Sequence, residues 1–171
     1  MIWIILFVIV AGVVGVVAYA RLSGPATPPA WLPDELKTGT EYCRERQFEA
    51  IVEEFTVVAK PDRVYKLADG RLCVTEYKTR PGIGQVYDGD VWQLSAGAAA
   101  LAGAGRVAEF GFVIVQDRAG QRQSHQVKLL DRPGLVEVMR RFDAIQCGSA
   151  NGSKTRSKKK CASCGHRAAC A

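Results

Sequence analysis

Residues 58–80 consist of two runs rich in Val, Leu and Tyr on either side of an Asp-Gly pair, and this pattern restricts the fold more than any other. An Asp-Gly pair between such runs predicts a tight β-hairpin. Asp62 lies near the start of the first strand. The second strand ends at Glu76, Tyr77 and Lys78. Because side chains alternate along a strand, Glu76 and Lys78 share one face and Tyr77 points to the other.

The chain around this hairpin alternates between patterns typical of strands and of helices. One predicted helix is rich in alanine, and we expect it to pack on a sheet with Trp92 in the core. The predicted elements are a short helix within 34–46, a strand over 47–58, the two hairpin strands, a helix over 87–102, strands over 107–116 and 121–130, and a helix that Pro133 opens. This order favours a single α/β domain over residues 34–147, in which helices cover the faces of one sheet.

The N-terminal residues 2–20 carry no charge and are long enough to cross a bilayer as a helix. No Lys or Arg precedes them, whereas a secretory signal peptide begins with a basic region. The pattern therefore favours a membrane anchor over residues 1–21, with cleavage after Ala18-Tyr19-Ala20 as the alternative. Because Arg21 follows the span, the positive-inside rule places the domain in the cytoplasm, on the inner membrane. Residues 22–33 are rich in proline and predict a semi-rigid linker.

The C-terminal end of the chain combines basic residues with cysteines. Residues 148–160 form a basic linker, and residues 161–171 form a cysteine-rich tail. The net charge of +6 and the isoelectric point near 9.1 suit a polyanionic partner, nucleic acid or an anionic membrane. The spacing of Cys161, Cys164 and Cys170 suits zinc or an iron–sulfur cluster, and the even total of six cysteines also permits disulfides.

The side chains of the hairpin suit phosphodiester hydrolysis. This reaction needs an activated water and a neutralised phosphate, and Mg²⁺ held by one or two carboxylates can supply both. Asp62 and Glu76 are the candidate carboxylates. A nearby lysine, here Lys78, can orient or deprotonate the water and stabilise the developing charge. The alternative is a solvated hairpin edge without a ligand, since an Asp and an E-x-K triplet also occur by chance.

Pro61-Asp62, followed on the next strand by Glu76-x-Lys78, resembles the PD-(D/E)XK nuclease superfamily. Gln93, in the next helix, is similar to the residue that opens the QxxxY motif of the RecB-like branch, although Gly97 stands in place of its tyrosine. The resemblance implies a restriction-endonuclease-like core, a central mixed sheet flanked by helices. It also implies a deoxyribonuclease that depends on Mg²⁺ or Mn²⁺ and acts on single-stranded DNA or duplex ends.

The same resemblance implies roles for individual residues. The implied catalytic residues are Asp62, Glu76, Lys78, Gln93 and Glu41. Asp62 and Glu76 would bind the metal ion together with the carbonyl of Tyr77. Lys78 would position the attacking water, and Gln93 would support the site or the DNA strand. Glu41 is the residue best placed to supply the acidic group of the family's first motif, with Glu45 next.

One cysteine upstream of the nuclease core and three at the C-terminus are similar to the CRISPR-associated RecB-like iron–sulfur exonuclease family. By that resemblance Cys43, Cys161, Cys164 and Cys170 bind a [4Fe–4S] cluster that joins the two ends of the domain. A hypothesis of a different class is a catalytically inactive DNA-binding or scaffold protein that retains the nuclease fold and holds Zn²⁺ in the cysteine site.

Overall fold

The computed structural model of the chain describes residues 28–152 and 161–162. The predicted membrane anchor over residues 1–21 lies outside these residues, as do most of the predicted basic linker and Cys164 and Cys170 of the tail. Within the described ranges, no helix is both long enough and apolar enough to cross a membrane.

A five-stranded mixed sheet forms the centre of the domain, with helices on both of its faces. The helices are α1 (Asp34–Thr38), α2 (Asp88–Gly103) and α3 (Arg132–Gln146). The strands are β1 (Thr40–Arg44), β2 (Phe48–Val52), β3 (Phe55–Ala59), β4 (Arg63–Lys66), β5 (Leu72–Thr79), β6 (Ala108–Gln116) and β7 (Arg122–Lys128). The sheet has the order β1-β4-β5-β6-β7, in which only β5 and β6 are parallel. The predicted α/β fold with a central mixed sheet is confirmed.

The predicted hairpin is present, and its turn follows the expected chemistry. Gly70 has a φ of +88°, which a glycine adopts without strain. The carboxylate of Asp69 accepts a hydrogen bond of 3.0 Å from the backbone N–H of Arg71. The first hairpin strand, β4, is shorter than predicted and begins at Arg63. Asp62 therefore lies immediately before this strand.

Two predicted elements upstream of the hairpin are wrong in extent. The helix predicted within 34–46 ends at Thr38, because Gly39 is extended, and the next residues form the edge strand β1. The single strand predicted over 47–58 is a separate hairpin, β2 and β3. Its turn contains Glu53, with a φ of +53°, where a glycine or asparagine would be usual. The sequence therefore carries no signal for this turn.

Helix α2 packs closely against the five-stranded sheet and against the β2-β3 hairpin, and these contacts position the site. A Cβ atom at Gly103 would lie 2.3 Å from the carbonyl oxygen of Glu49 on β2. A Cβ atom at Gly111 on β6 would lie 3.3 Å from the side chain of Leu94 on α2. Small residues at these contacts allow the helix to pack over β5. Trp92, predicted in the core, lies instead on the exposed side of α2 and is 45% exposed.

Candidate active site

Three polar side chains meet where strand β5 approaches helix α2. The ammonium group of Lys78 donates a hydrogen bond of 2.8 Å to Oε1 of Glu76 and one of 2.7 Å to Oε1 of Gln93. Nε2 of Gln93 donates to the same Glu76 oxygen at 2.7 Å. Each pair of the three side chains is thus hydrogen-bonded, so their relative positions are fixed by mutual contacts rather than by packing alone.

Asp62, immediately before β4, is held beside these three side chains. Its Oδ2 atom accepts a hydrogen bond of 2.7 Å from the backbone N–H of Tyr77, the residue between Glu76 and Lys78. The preceding residue, Pro61, packs against α2, where a Cβ atom at Gly97 would lie 3.1 Å from its Cγ. The structure therefore places the carboxylate of Asp62 at the backbone of Tyr77, between the predicted site residues Glu76 and Lys78.

Glu76 is a buried carboxylate, with 5% of the residue exposed. Burial raises the pKa of Glu76 above its usual value, and the nearby charge of Asp62 raises it further. The hydrogen bonds from Lys78 and Gln93 act in the opposite direction without cancelling these effects. A negative charge at Glu76 is therefore incompletely compensated by the protein's own groups.

Such a site fits a hard divalent cation. Two carboxylates that repel each other, beside the backbone of Tyr77, present the oxygen ligands that Mg²⁺ and Mn²⁺ prefer. No group of three His, Cys, Asp or Glu side chains suited to a metal ion occurs in the part of the chain that the structure describes. Mg²⁺ needs no such group, because it is usually bound by one or two carboxylates and completes its coordination with water and phosphate.

Glu41 is not brought to this group. On β1 it pairs with Tyr65, and its carboxylate binds Arg44 at 2.9 Å and Arg63 at 3.5 Å. The guanidinium of Arg63 lies over the ring of Tyr77, 5.2 Å from its centroid. Because Tyr77 points away from the face of Glu76, Glu41 lies on the opposite side of the sheet. The hydrogen bond from Arg44 lowers the pKa of Glu41, whereas burial raises that of Glu76.

Arg80 and Asp90 extend the site and were not singled out from the sequence. Arg80 Nη2 and Asp90 Oδ1 form a short ion pair, and both residues are largely buried. Asp90 also accepts a hydrogen bond of 2.9 Å from the N–H of Tyr87, at the start of α2. Burial acts to raise the pKa of Asp90, but the bonds from Arg80 and Tyr87 outweigh it, so the pKa is lowered. The pair ties the end of β5 to the helix that carries Gln93.

Two spacings could have identified this pair. Arg80 follows Lys78 by two residues, so it lies on the same strand face as the predicted site. Asp90 precedes Gln93 by three residues, which is nearly one helical turn. Both residues therefore lie at positions that local geometry alone connects to the site.

A sequence profile of the PD-(D/E)XK nuclease superfamily matches residues 21–171. The chain belongs to this superfamily. Membership implies a metal-dependent nuclease that hydrolyses phosphodiester bonds, and it agrees with the central mixed sheet. No curated protein matches the sequence significantly.

Comparison with solved structures supports the fold of this superfamily member. The crystal structure of SSO0001 is similar, with a TM-score of 0.50 and 17% sequence identity. The similarity covers 78% of this chain and 58% of that chain. The superfamily member therefore spans little more than half the length of that protein, and the similarity concerns the fold alone.

The structure describes two of the four cysteines for which a cluster is predicted. Cys43 is half-buried on β1, opposite Val64, and packs against the main core. Burial raises the pKa of its thiol. Cys161 is described, whereas Cys164 and Cys170 lie outside the described residues. The fully buried Cys73, with a pKa raised to about 12 by burial, is inert packing in this nuclease domain.

Proposed function

We propose that the protein is a Mg²⁺- or Mn²⁺-dependent deoxyribonuclease of the RecB-like type. The observation that carries the proposal is the bonding of Lys78 to both Glu76 and Gln93 within 2.8 Å. These two hydrogen bonds, one to a metal-binding carboxylate and one to a helix side chain, position the ammonium group to contact a bound phosphate. A solvated hairpin edge, the alternative from the sequence, does not account for a Glu76 that is 5% exposed.

Asp62, Glu76 and the carbonyl of Tyr77 would hold the metal ion. When bound, Mg²⁺ or Mn²⁺ supplies Lewis-acid stabilisation of the phosphate and acidifies a water molecule. Lys78 has three N–H donors. Glu76 and Gln93 accept from it, which leaves a donor that orients the attacking water or a phosphate oxygen. Gln93 keeps the Lys78 side chain in this position and supports the DNA strand beside it.

A nuclease assay of the full-length chain tests the proposal. We expect cleavage of single-stranded DNA or duplex ends with Mg²⁺ or Mn²⁺ and none in EDTA. Lys78→Ala or Asp62→Asn should lower the rate by roughly 10²- to 10³-fold, the usual effect of removing one group that stabilises developing charge. The matched control is Lys66→Ala, which removes an exposed lysine on β4, outside the site.

The inactive scaffold, the proposal's main rival, makes the opposite prediction. It binds DNA with an affinity that does not depend on Mg²⁺ and leaves the DNA intact under every metal condition. Cleavage that persists unchanged in both Lys78→Ala and Asp62→Asn would show a contaminating nuclease and sink the assignment.

We further propose that residues 1–21 anchor the nuclease domain to the inner membrane, facing the cytoplasm, and that Cys43, Cys161, Cys164 and Cys170 bind a [4Fe–4S] cluster. Both proposals rest on the sequence: an uncharged span before Arg21, and a single upstream cysteine with three at the C-terminus. Full-length protein should partition into the membrane with its N-terminus intact. Protein purified without air should be brown and should contain stoichiometric iron and sulfide. A colourless protein with one Zn²⁺ would replace the cluster by the zinc alternative, and cleavage after Ala20 would exclude the anchor.

A further inference from the structure

A groove of about 490 Å³ lies between strand β3 and helices α2 and α3, and its lining is mostly apolar. Its size falls within the range of small-ligand sites. Two aromatic side chains on its walls are largely accessible: Trp92 on α2 is 45% exposed and Phe142 on α3 is 63% exposed. Large aromatic residues that share one exposed groove indicate an interaction site rather than part of the core.

Ion pairs join helix α3 to the hairpin that lines the groove. Arg140 of α3 binds Glu53 at 2.7 Å and Glu54 at 2.8 Å, and these acids form the turn between β2 and β3. The two walls of the groove, α3 and β3, are therefore connected by side chains as well as by packing.

The groove and the active site share the same two segments of chain. Trp92 immediately precedes Gln93, whose amide donates to Glu76. Val58 lines the groove from β3 and lies four residues before Asp62. Consecutive Cα atoms are 3.8 Å apart, so the backbone that carries Trp92 lies directly beside the backbone that carries Gln93.

We propose that this groove binds an unpaired nucleobase of the DNA strand, next to the scissile phosphate. Trp92 and Phe142 provide aromatic faces for stacking, which every base can use. Arg141 and Asp143 also line the groove, so its charges are balanced and stacking on the aromatic faces is the interaction that carries the proposal. Bases inside a duplex are already stacked and paired, so they cannot enter without an unstacking cost. This inference rests on the proposed nuclease function.

Equilibrium binding tests the inference on the full-length chain in nanodiscs of zwitterionic lipid, with EDTA present to prevent cleavage. The probes are a fluorescent oligothymidylate and a blunt duplex of equal length. Trp92→Leu should weaken oligothymidylate binding by roughly 5- to 150-fold, the range reported for removal of one base–aromatic stack. Duplex affinity should stay the same. Trp92→Phe, which keeps an aromatic face, should retain most of the affinity, and Phe142→Leu should also weaken binding.

Ile51→Ala is the matched control, because Ile51 is an apolar residue that is 77% exposed on β2 and does not line this groove. Oligothymidylate affinity that is unchanged in both Trp92→Leu and Phe142→Leu would overturn the inference and assign the groove to a protein or lipid partner. In that case the loss of cleavage in Lys78→Ala would still support the nuclease. Wild-type protein that binds neither probe in EDTA and cuts neither probe with Mg²⁺ or Mn²⁺ would refute the proposed function itself.

Discussion

Replacing Glu76 by Gln should lower the rate of metal-dependent DNA cleavage by about 10³-fold or more while the protein stays folded. A catalytic metal ion contributes several kcal/mol to the transition state, and each 1.4 kcal/mol is a factor of about ten in rate. Glutamine has nearly the same shape as glutamate, and its carbonyl oxygen can accept the hydrogen bonds that Lys78 and Gln93 donate to Glu76. Initial cleavage rates with Mg²⁺ and Mn²⁺ measure the effect.

The same substitution should also remove the effect of metal on stability. A ligand that binds only the folded protein raises its free energy of unfolding, so Mn²⁺ should raise the melting temperature of the wild type. E76Q should show no such rise. Glu109→Gln is the control, because Glu109 is an exposed carboxylate on β6 that pairs with Arg71. An E76Q protein that gains as much stability from Mn²⁺ as the wild type contradicts the assignment of Glu76 as a ligand.

Without metal, Glu76 should destabilise the fold at neutral pH. Burial and the charge of Asp62 raise its pKa above 4.5 in the folded state, so folding favours the protonated form. The favourable contribution of Glu76 is therefore complete below pH 4.5 and is lost as the pH rises through the folded-state pKa. In EDTA, E76Q should match the wild type at low pH and become the more stable protein toward neutral pH, as urea unfolding at several pH values can show.

The parts of the site that could be predicted from the sequence are those fixed by local geometry. An Asp-Gly turn sets the pairing of β4 and β5, and the alternation of side chains along β5 then sets the shared face of Glu76 and Lys78. Gln93 could be assigned through its resemblance to a family motif. The structure then joins it to both residues by hydrogen bonds of 2.7 Å.

The parts that were missed depend on contacts between distant segments. The turn at Glu53 has no glycine, and Arg140, which lies far along the chain, binds both glutamates around it. Glu41 was selected as the counterpart of the acidic group in the family's first motif. An irregularity in the pairing of β1 between Glu41 and Cys43, together with the ion pairs to Arg44 and Arg63, fixes its side of the sheet. Neither feature leaves a periodic pattern in the sequence.

Placing at position 97 the tyrosine that the RecB-like motif carries there, by Gly97→Tyr, should damage this protein rather than improve it. Gly97 is buried in α2, and even a Cβ atom there would lie 3.1 Å from Cγ of Pro61. A phenol ring must displace Pro61 and with it Asp62, whose carboxylate is held by the N–H of Tyr77. Overpacking of a close contact costs about 3 kcal/mol at the upper end of its usual range. We expect a loss of this size in the free energy of unfolding.

Cleavage by Gly97→Tyr should fall more than its stability alone explains, because the displaced Asp62 is a proposed metal ligand. Urea unfolding gives the stability, and cleavage rates at a temperature where the variant is fully folded give the activity. Gly89→Tyr is the matched control, since Gly89 lies in the same helix with nothing within 4 Å of a Cβ atom. It should remain close to the wild type in both measurements.

The contradicting outcome is a Gly97→Tyr protein that is as stable as the wild type and cleaves DNA faster. Such a protein would show that a tyrosine fits at position 97 and that Gly97 only lacks a contact to DNA. The packing of Pro61 on Gly97 predicts the reverse: here the glycine is what allows the loop before β4 to deliver Asp62 to the site.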